Sequence, residues 1–142
     1  MSLKKVDEQS SARSDGRNCV LAYGYDEIEN DMLKFCLETA KIEALIVLKE
    51  ADTHRILKTI LEEYPAAESD EDLISEGPFR LPKTLVFSGT SDEELYGFIK
   101  AMRAIGVESE LKAVITAHNI NWAFDALVEE LIEENRALQG EK

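Results

Sequence analysis

Leu111-Lys112-Ala113-Val114-Ile115-Thr116-Ala117-His118-Asn119-Ile120-Asn121-Trp122-Ala123-Phe124 is the stretch on which the fold turns. Leu111 to Ile115 has the length and apolar character of a buried strand, and a short polar loop follows. Phe124, Leu127, Val128, Leu131 and Ile132 then recur at i, i+3, i+4, i+7 and i+8, the spacing of one helix face. The spacing predicts strand, loop and helix in that order, with the helix starting near Asn119 or Asn121. A weaker version lies upstream. Ala44 to Leu48 is continuously apolar, Asp52 can cap a helix, and Ile56, Leu57, Ile60, Leu61 and Tyr64 form its stripe. Pro65 ends that helix, because the residue before a proline is driven out of the α region.

Each of these units is preceded by another of the same kind. Cys19 to Tyr23 is a short apolar run, Gly24 and Tyr25 turn the chain, and Asp26-Glu27-Ile28-Glu29 reads as a capping box. In the helix that follows, Leu33, Cys36, Leu37 and Ala40 share a face, and Met32 and Phe35 are expected to widen it. Thr84 to Phe87, the turn Ser88-Gly89-Thr90 and the capping box Ser91-Asp92-Glu93-Glu94 repeat the pattern. Leu95, Phe98, Ile99, Met102 and Ile105 then form the stripe, and Gly106 is a natural helix stop.

The parts also recur at matching distances. An offset of 65 residues takes Asp26 to Ser91, Gly24 to Gly89 and Leu37 to Met102; an offset of 67 takes Asp52 to Asn119, Leu57 to Phe124 and Ile60 to Leu127. Caps, turn glycines and core positions repeat together, so the chain reads as one βαβα unit written twice. The expected class is α/β: a four-stranded, mostly parallel sheet of order 2-1-3-4 with helices on both faces. The long connection before the third strand leaves open a sheet with one antiparallel edge. Residues 18–137 are expected to form a single domain with half-repeats 18–64 and 84–137, behind a polar, disordered lead at 1–17. The acidic linker 65–83 holds all three prolines and is expected to be functional or mobile, with Pro78 to Pro82 apolar enough to dock.

Composition narrows the classes of function. A net charge of −13 over 142 residues disfavours a phosphate backbone or an anionic membrane as partner and favours a basic protein or cations. The two cysteines, Cys19 and Cys36, show no paired spacing, and no apolar run approaches a membrane span. These features point to a reducing, cytoplasmic setting. Cys19, Cys36, His54 and His118 have no metal-ligand spacing, so no metal and no cofactor is expected.

In open α/β sheets, ligands sit beyond the carboxyl ends of strands where the strand order switches. For a parallel 2-1-3-4 sheet the switch lies between the first and third strands. The candidate binding residues are therefore Tyr25, Ser88 and Thr90, with Thr116, His118, Asn119 and Trp122 one strand further out. Neither turn carries the spaced glycines or the Lys-Ser/Thr of a phosphate loop. Carboxylates already occupy the positive ends of the two helices. His118 has no nucleophile or carboxylate tied to it by sequence, which leaves a catalytic residue unassigned. Trp122 falls off the apolar stripe, as a lid over the loop or as an anchor for a partner.

From about Lys83 to Glu134 the chain resembles a bacterial family of small domains of unknown function found mainly in anaerobic Gram-positive bacteria. Lys112-Ala113-Val114-Ile115-Thr116, His118-Asn119-Ile120-Asn121-Trp122 and the acidic helix behind them carry the resemblance. It implies no activity, ligand or catalytic residue. It does imply that Thr116, Asn119 and Trp122 belong to a recurring local structure. The reading favoured is a non-catalytic interaction or regulatory module with a protein partner. A small-molecule binder or enzyme, with its site at the ends of strands one and three, is the alternative. A homodimer through a sheet edge or helix face is a further possibility.

Overall fold

The computed structural model describes residues 16–139. Of the expected disordered lead 1–17 and the expected fraying tail 139–142, residues 1–15 and 140–142 lie outside the described residues; Arg17, by contrast, is tied to the body, its guanidinium donating to Leu61 O at 3.2 Å and Tyr64 O at 2.6 Å, and Gln139 still belongs to the last helix. The order of elements is β1 (Cys19–Tyr23), α1 (Glu27–Ala40), β2 (Ala44–Leu48), α2 (Leu57–Glu63), β3 (Thr84–Ser88), α3 (Asp92–Ile105), β4 (Leu111–Val114) and α4 (Phe124–Gln139), with short 3-10 turns at Glu50–Asp52 and Asp70–Leu73. The fold is α/β, and the four strands lie in the order β2-β1-β3-β4. Among the described residues, no helix is long and apolar enough to cross a membrane.

β1 runs parallel to β2, and β3 parallel to β4. The two central strands run antiparallel, with Cys19 opposite Ser88, Leu21 opposite Val86 and Tyr23 opposite Thr84. The sheet is thus mixed but mostly parallel. Its one antiparallel pairing is central, not at an edge. The connection from Glu63 to Thr84 is long enough to bring the chain back to either end of the sheet before β3 begins.

β1 and β3 are buried along their whole length, which accounts for their unbroken apolar runs. Side chains alternate between two cores. On one face Leu21, Tyr23, Ile46 and Val86 pack under α2 and α4, against Leu57, Ile60, Phe124 and Leu127. On the other, Val20, Ala22, Leu85 and Phe87 pack under α1 and α3, against Leu33, Cys36, Phe98 and Met102. A side chain added at Gly97 of α3 would meet Ala40 of α1 at 3.7 Å, so these helices approach through small residues.

Both capping boxes form. The Glu29 N–H donates to Asp26 at 2.8 Å and the Glu94 N–H to Ser91 Oγ at 3.1 Å, each reciprocated by the glutamate. The helix ends match as well. The Lys41 N–H donates to Glu38 O and the Gly106 N–H to Arg103 O, both from residues with positive φ (65° and 82°).

α2 and α4 start later than their sequence implies. Asp52 and Asn119 are not helix caps at all. The Asp52 carboxylate accepts from the Lys49 N–H at 2.8 Å, and Asn119 Oδ1 accepts from the Thr116 N–H at 2.9 Å. Each closes a turn that lies before its helix. The chain then forms a short antiparallel bridge, Ile56 with Ala123. The Leu57 N–H donates to Trp122 O and the Phe124 N–H to Arg55 O, both at 2.9 Å. The bridge joins residues at the 67-residue offset, and its two hydrogen bonds are made by equivalent donors and equivalent acceptors, so the starts of the two helices satisfy each other's free N–H groups.

The linker is a docked segment. The Ala67 N–H donates to Leu45 O at 2.7 Å on the outer side of β2, and Leu73 is buried under α1 and α3. Phe79 stands edge-on to Tyr23 with ring centroids 5.3 Å apart.

Lys41 holds a left-handed conformation that its equivalent, Gly106, adopts without strain. Lys41→Gly should raise unfolding stability by about 1 kcal/mol, and Gly106→Ala should lower it by a similar amount. Urea denaturation of the two variants checks both signs.

Candidate functional site

The antiparallel β1–β3 pair divides the expected site. Tyr25 follows the carboxyl end of β1, whereas Ser88 and Thr90 belong to the carboxyl end of β3, which lies beside the start of β1. The pocket expected between the carboxyl ends of strands one and three is therefore not formed. A crevice at a switch in strand order needs neighbouring parallel strands whose ends open on the same side. Here they open on opposite sides.

Each candidate is instead engaged in the fold. Tyr25 is buried beneath the Lys83 ammonium, which sits 5.4 Å from the ring centroid and pairs with Glu29 at 2.5 Å. Burial pushes the Tyr25 phenol well above its usual range, with Ser109 near enough to oppose that shift. Ser88 and Thr90 are buried on either side of Gly89. A side chain at Gly89 would come within 2.5 Å of the Gly16 carbonyl oxygen, so backbone fills the space a ligand would need.

Thr116, His118, Asn119 and Trp122 do come together, in a self-contained turn. Thr116 Oγ1 accepts from the N–H groups of His118 and Asn119, both at 3.2 Å. Asn119 Nδ2 donates to Val114 O at 3.1 Å. His118 is exposed and meets the Trp122 ring edge-on, 5.1 Å between centroids. Trp122 is half-buried against the α2–α4 core and precedes α4, so its place on a helical wheel has no meaning. The loop covers the sheet and passes the chain to the Ile56–Ala123 bridge.

Two features were not anticipated from the sequence. The first is a polar knot where β1 ends. The Tyr23 hydroxyl donates to Glu50, and burial followed by that bond pushes its pKa up to about 12. Arg80 pairs with Glu50 at 2.9 Å and Asp125 at 3.0 Å, and donates to Thr53 Oγ1 at 3.0 Å. His54 precedes α2 and meets Asp125 at 3.0 Å. Four segments distant in sequence meet here, and the knot locks the Pro78–Pro82 end of the linker onto the body. Ion pairs give no periodic signal, so sequence reading could not find it.

The second feature is an apolar stripe on α1. Met32 and Phe35 do not widen the buried face; they are 37% and 55% exposed, and Ile28 is 70% exposed. The signal was present in the sequence, since α1 carries more apolar residues than its core face can use.

With this geometry in hand, residues 83–138 match a family model. They are a domain of unknown function, DUF3783. No curated protein and no solved structure matches the chain. The DUF3783 domain spans β3, α3, β4 and nearly all of α4, that is, the second half. It contains the Thr116–Trp122 turn, and it leaves out Tyr25 and the α1 stripe.

Asn119→Ala removes the two bonds that its own side chain makes in the turn and should cost about 1–2 kcal/mol in urea unfolding. Both thiols are buried, which pushes each up to about 11 from an ordinary 9.0. The raised values mean the fold favours the protonated thiol. Their contribution to stability is therefore complete below pH 9 and is lost as pH rises from about 9 toward 11. Native protein should resist a thiol-specific disulfide reagent at pH 8 and label fully in urea; fast native labelling would contradict the burial.

Proposed function

We propose that this chain is a non-catalytic interaction module that docks a basic amphipathic helix on α1. The observation that carries this reading is the stripe Ile28, Met32 and Phe35. The three sit at i, i+4 and i+7 on one helix face, exposed although the cores beneath are filled. A contiguous apolar surface of this kind marks an interaction site more often than an isolated exposed residue does. Glu27, Asp31 and Glu38 are exposed and lie along one flank of the stripe. With a net charge of −13 for the whole chain, the field around this face favours a cationic partner.

The separation of Tyr25 from Ser88 and Thr90 supports the same conclusion, since the groups considered for catalysis share no cleft. The matched caps, turns and helix starts of the two halves support an origin by internal duplication. On that reading the first half is a diverged partner of the DUF3783 domain, and the stripe on α1 belongs to the diverged half.

The test uses a fluorescent 16-residue helical peptide with leucine on one face and lysine on the other. Anisotropy should report saturable binding, weakened about tenfold or more by the triple variant Ile28→Ser, Met32→Ser, Phe35→Ser. These positions are exposed, so the variant should keep its urea midpoint. Equal binding by the variant and the natural protein would reject α1 as the docking face.

A further inference from the structure

The two outer edges of the sheet are treated differently. β2 is closed by the protein's own linker, whose Ala67 N–H donates to Leu45 O at 2.7 Å. The residue 67 positions on from Leu45 is Lys112, on β4. Among the described residues the chain does not return there: α2 stops before Pro65, whereas α4 continues to Gln139. Among the described residues no segment pairs with the outer side of β4.

The direction of the free groups follows from those already used. The Leu111 N–H donates to Lys83 O at 3.1 Å and the Ile115 N–H to Phe87 O at 2.8 Å, both toward β3. Strand alternation turns the backbone groups of Lys112 and Val114 outward. The Val114 carbonyl is taken by Asn119 Nδ2. The two N–H groups and the Lys112 carbonyl are left facing away from the sheet, a template for one more strand.

A groove of about 260 Å³ runs beside this edge on the α1–α3 side. Ile99, Met102 and Val107 supply its apolar wall. Arg103, Lys112 and Ser109 supply polar groups, against one carboxylate, Glu108. No ion pair engages Arg103 or Lys112 among the described residues. In a chain of net charge −13, an edge bordered by two unpaired cations is a local inversion of the field.

We infer that β4 accepts an extended segment of a partner protein as a fifth strand, one whose side chains facing the groove are an apolar residue and a carboxylate. Main-chain bonds to Lys112 and Val114 supply the affinity, and the groove supplies the choice of side chain. The carboxylate meets Arg103 and Lys112, and the apolar residue two positions along enters between Ile99 and Val107. A second copy of the chain is the poorer occupant, because antiparallel self-pairing brings the two Lys112 side chains to one seam between two acidic bodies. This surface is separate from the α1 stripe and does not depend on it.

The experiment uses the full chain and amide hydrogen exchange. In the free protein the Ala113 and Ile115 amides should be protected, and those of Lys112 and Val114 should exchange fast. A soluble peptide with threonine at every second position, and valine and glutamate taking turns between them so that both lie on one face, should protect Lys112 and Val114, and the same peptide with lysine for glutamate should not. Arg103→Glu should weaken the glutamate peptide by about tenfold or more without altering exchange elsewhere. Lys112→Pro, which deletes one outward N–H, should abolish binding. Equal protection by both peptides, or none by either, overturns the inference. So does protection of Lys112 and Val114 in the free protein: if it grows with concentration the occupant is a second copy, and if not, the chain covers its own edge.

Discussion

The antiparallel contact between β1 and β3 is the constraint from which the rest of this structure follows. It joins two parallel pairs, each too small to bury its own faces, into one four-stranded sheet. It runs through Leu21 and Val86, which occupy equivalent places in the two halves. The same equivalence reappears above the sheet at Ile56 and Ala123, where each helix start hydrogen-bonds to the segment leading into the other. Sheet and helix layer are therefore joined at two points by pairings that treat the halves alike. A change that weakens one half should be felt in the other, because neither has a complete core alone.

This arrangement also separates the candidate binding residues. Reversing the direction at the centre places the carboxyl ends of the two parallel pairs at opposite edges. Tyr25 is left alone beneath Lys83, while Ser88 and Thr90 are sealed by backbone. The edge where β1 ends is filled by the Glu50–Arg80–Asp125 knot, in which charges satisfy one another and pin the linker. Such a knot adds specificity to the fold more than net stability, since partly exposed ion pairs gain little after solvation.

What remains available is surface. The halves differ outside: α1 carries exposed Ile28, Met32 and Phe35, and among the described residues β2 is covered by the linker while no segment pairs with the outer side of β4. Inside, Leu21 pairs with Val86 and Ile56 with Ala123 across the centre, whereas the outer strands β2 and β4 do not meet. Residues 83–138, which match the DUF3783 model, take in β3, α3 and β4 and leave out α1 and the docked linker.

The sequence by itself determined the elements, their order in the sheet and most of the core. These rest on local chemistry: capping boxes at Asp26 and Ser91, continuous apolar strands, and helix stripes such as Phe124, Leu127 and Val128. The family resemblance singled out Thr116, Asn119 and Trp122 as one local structure, and the bonds that join them reach only a few residues. Strand direction at the centre was not legible, since apolar runs look alike whichever way a strand points and a long linker permits both. The late starts of α2 and α4 and the meeting of His54, Arg80 and Asp125 were decided only in three dimensions. Each depends on what packs against a residue from a distant segment, and periodicity along one segment carries no record of its neighbours.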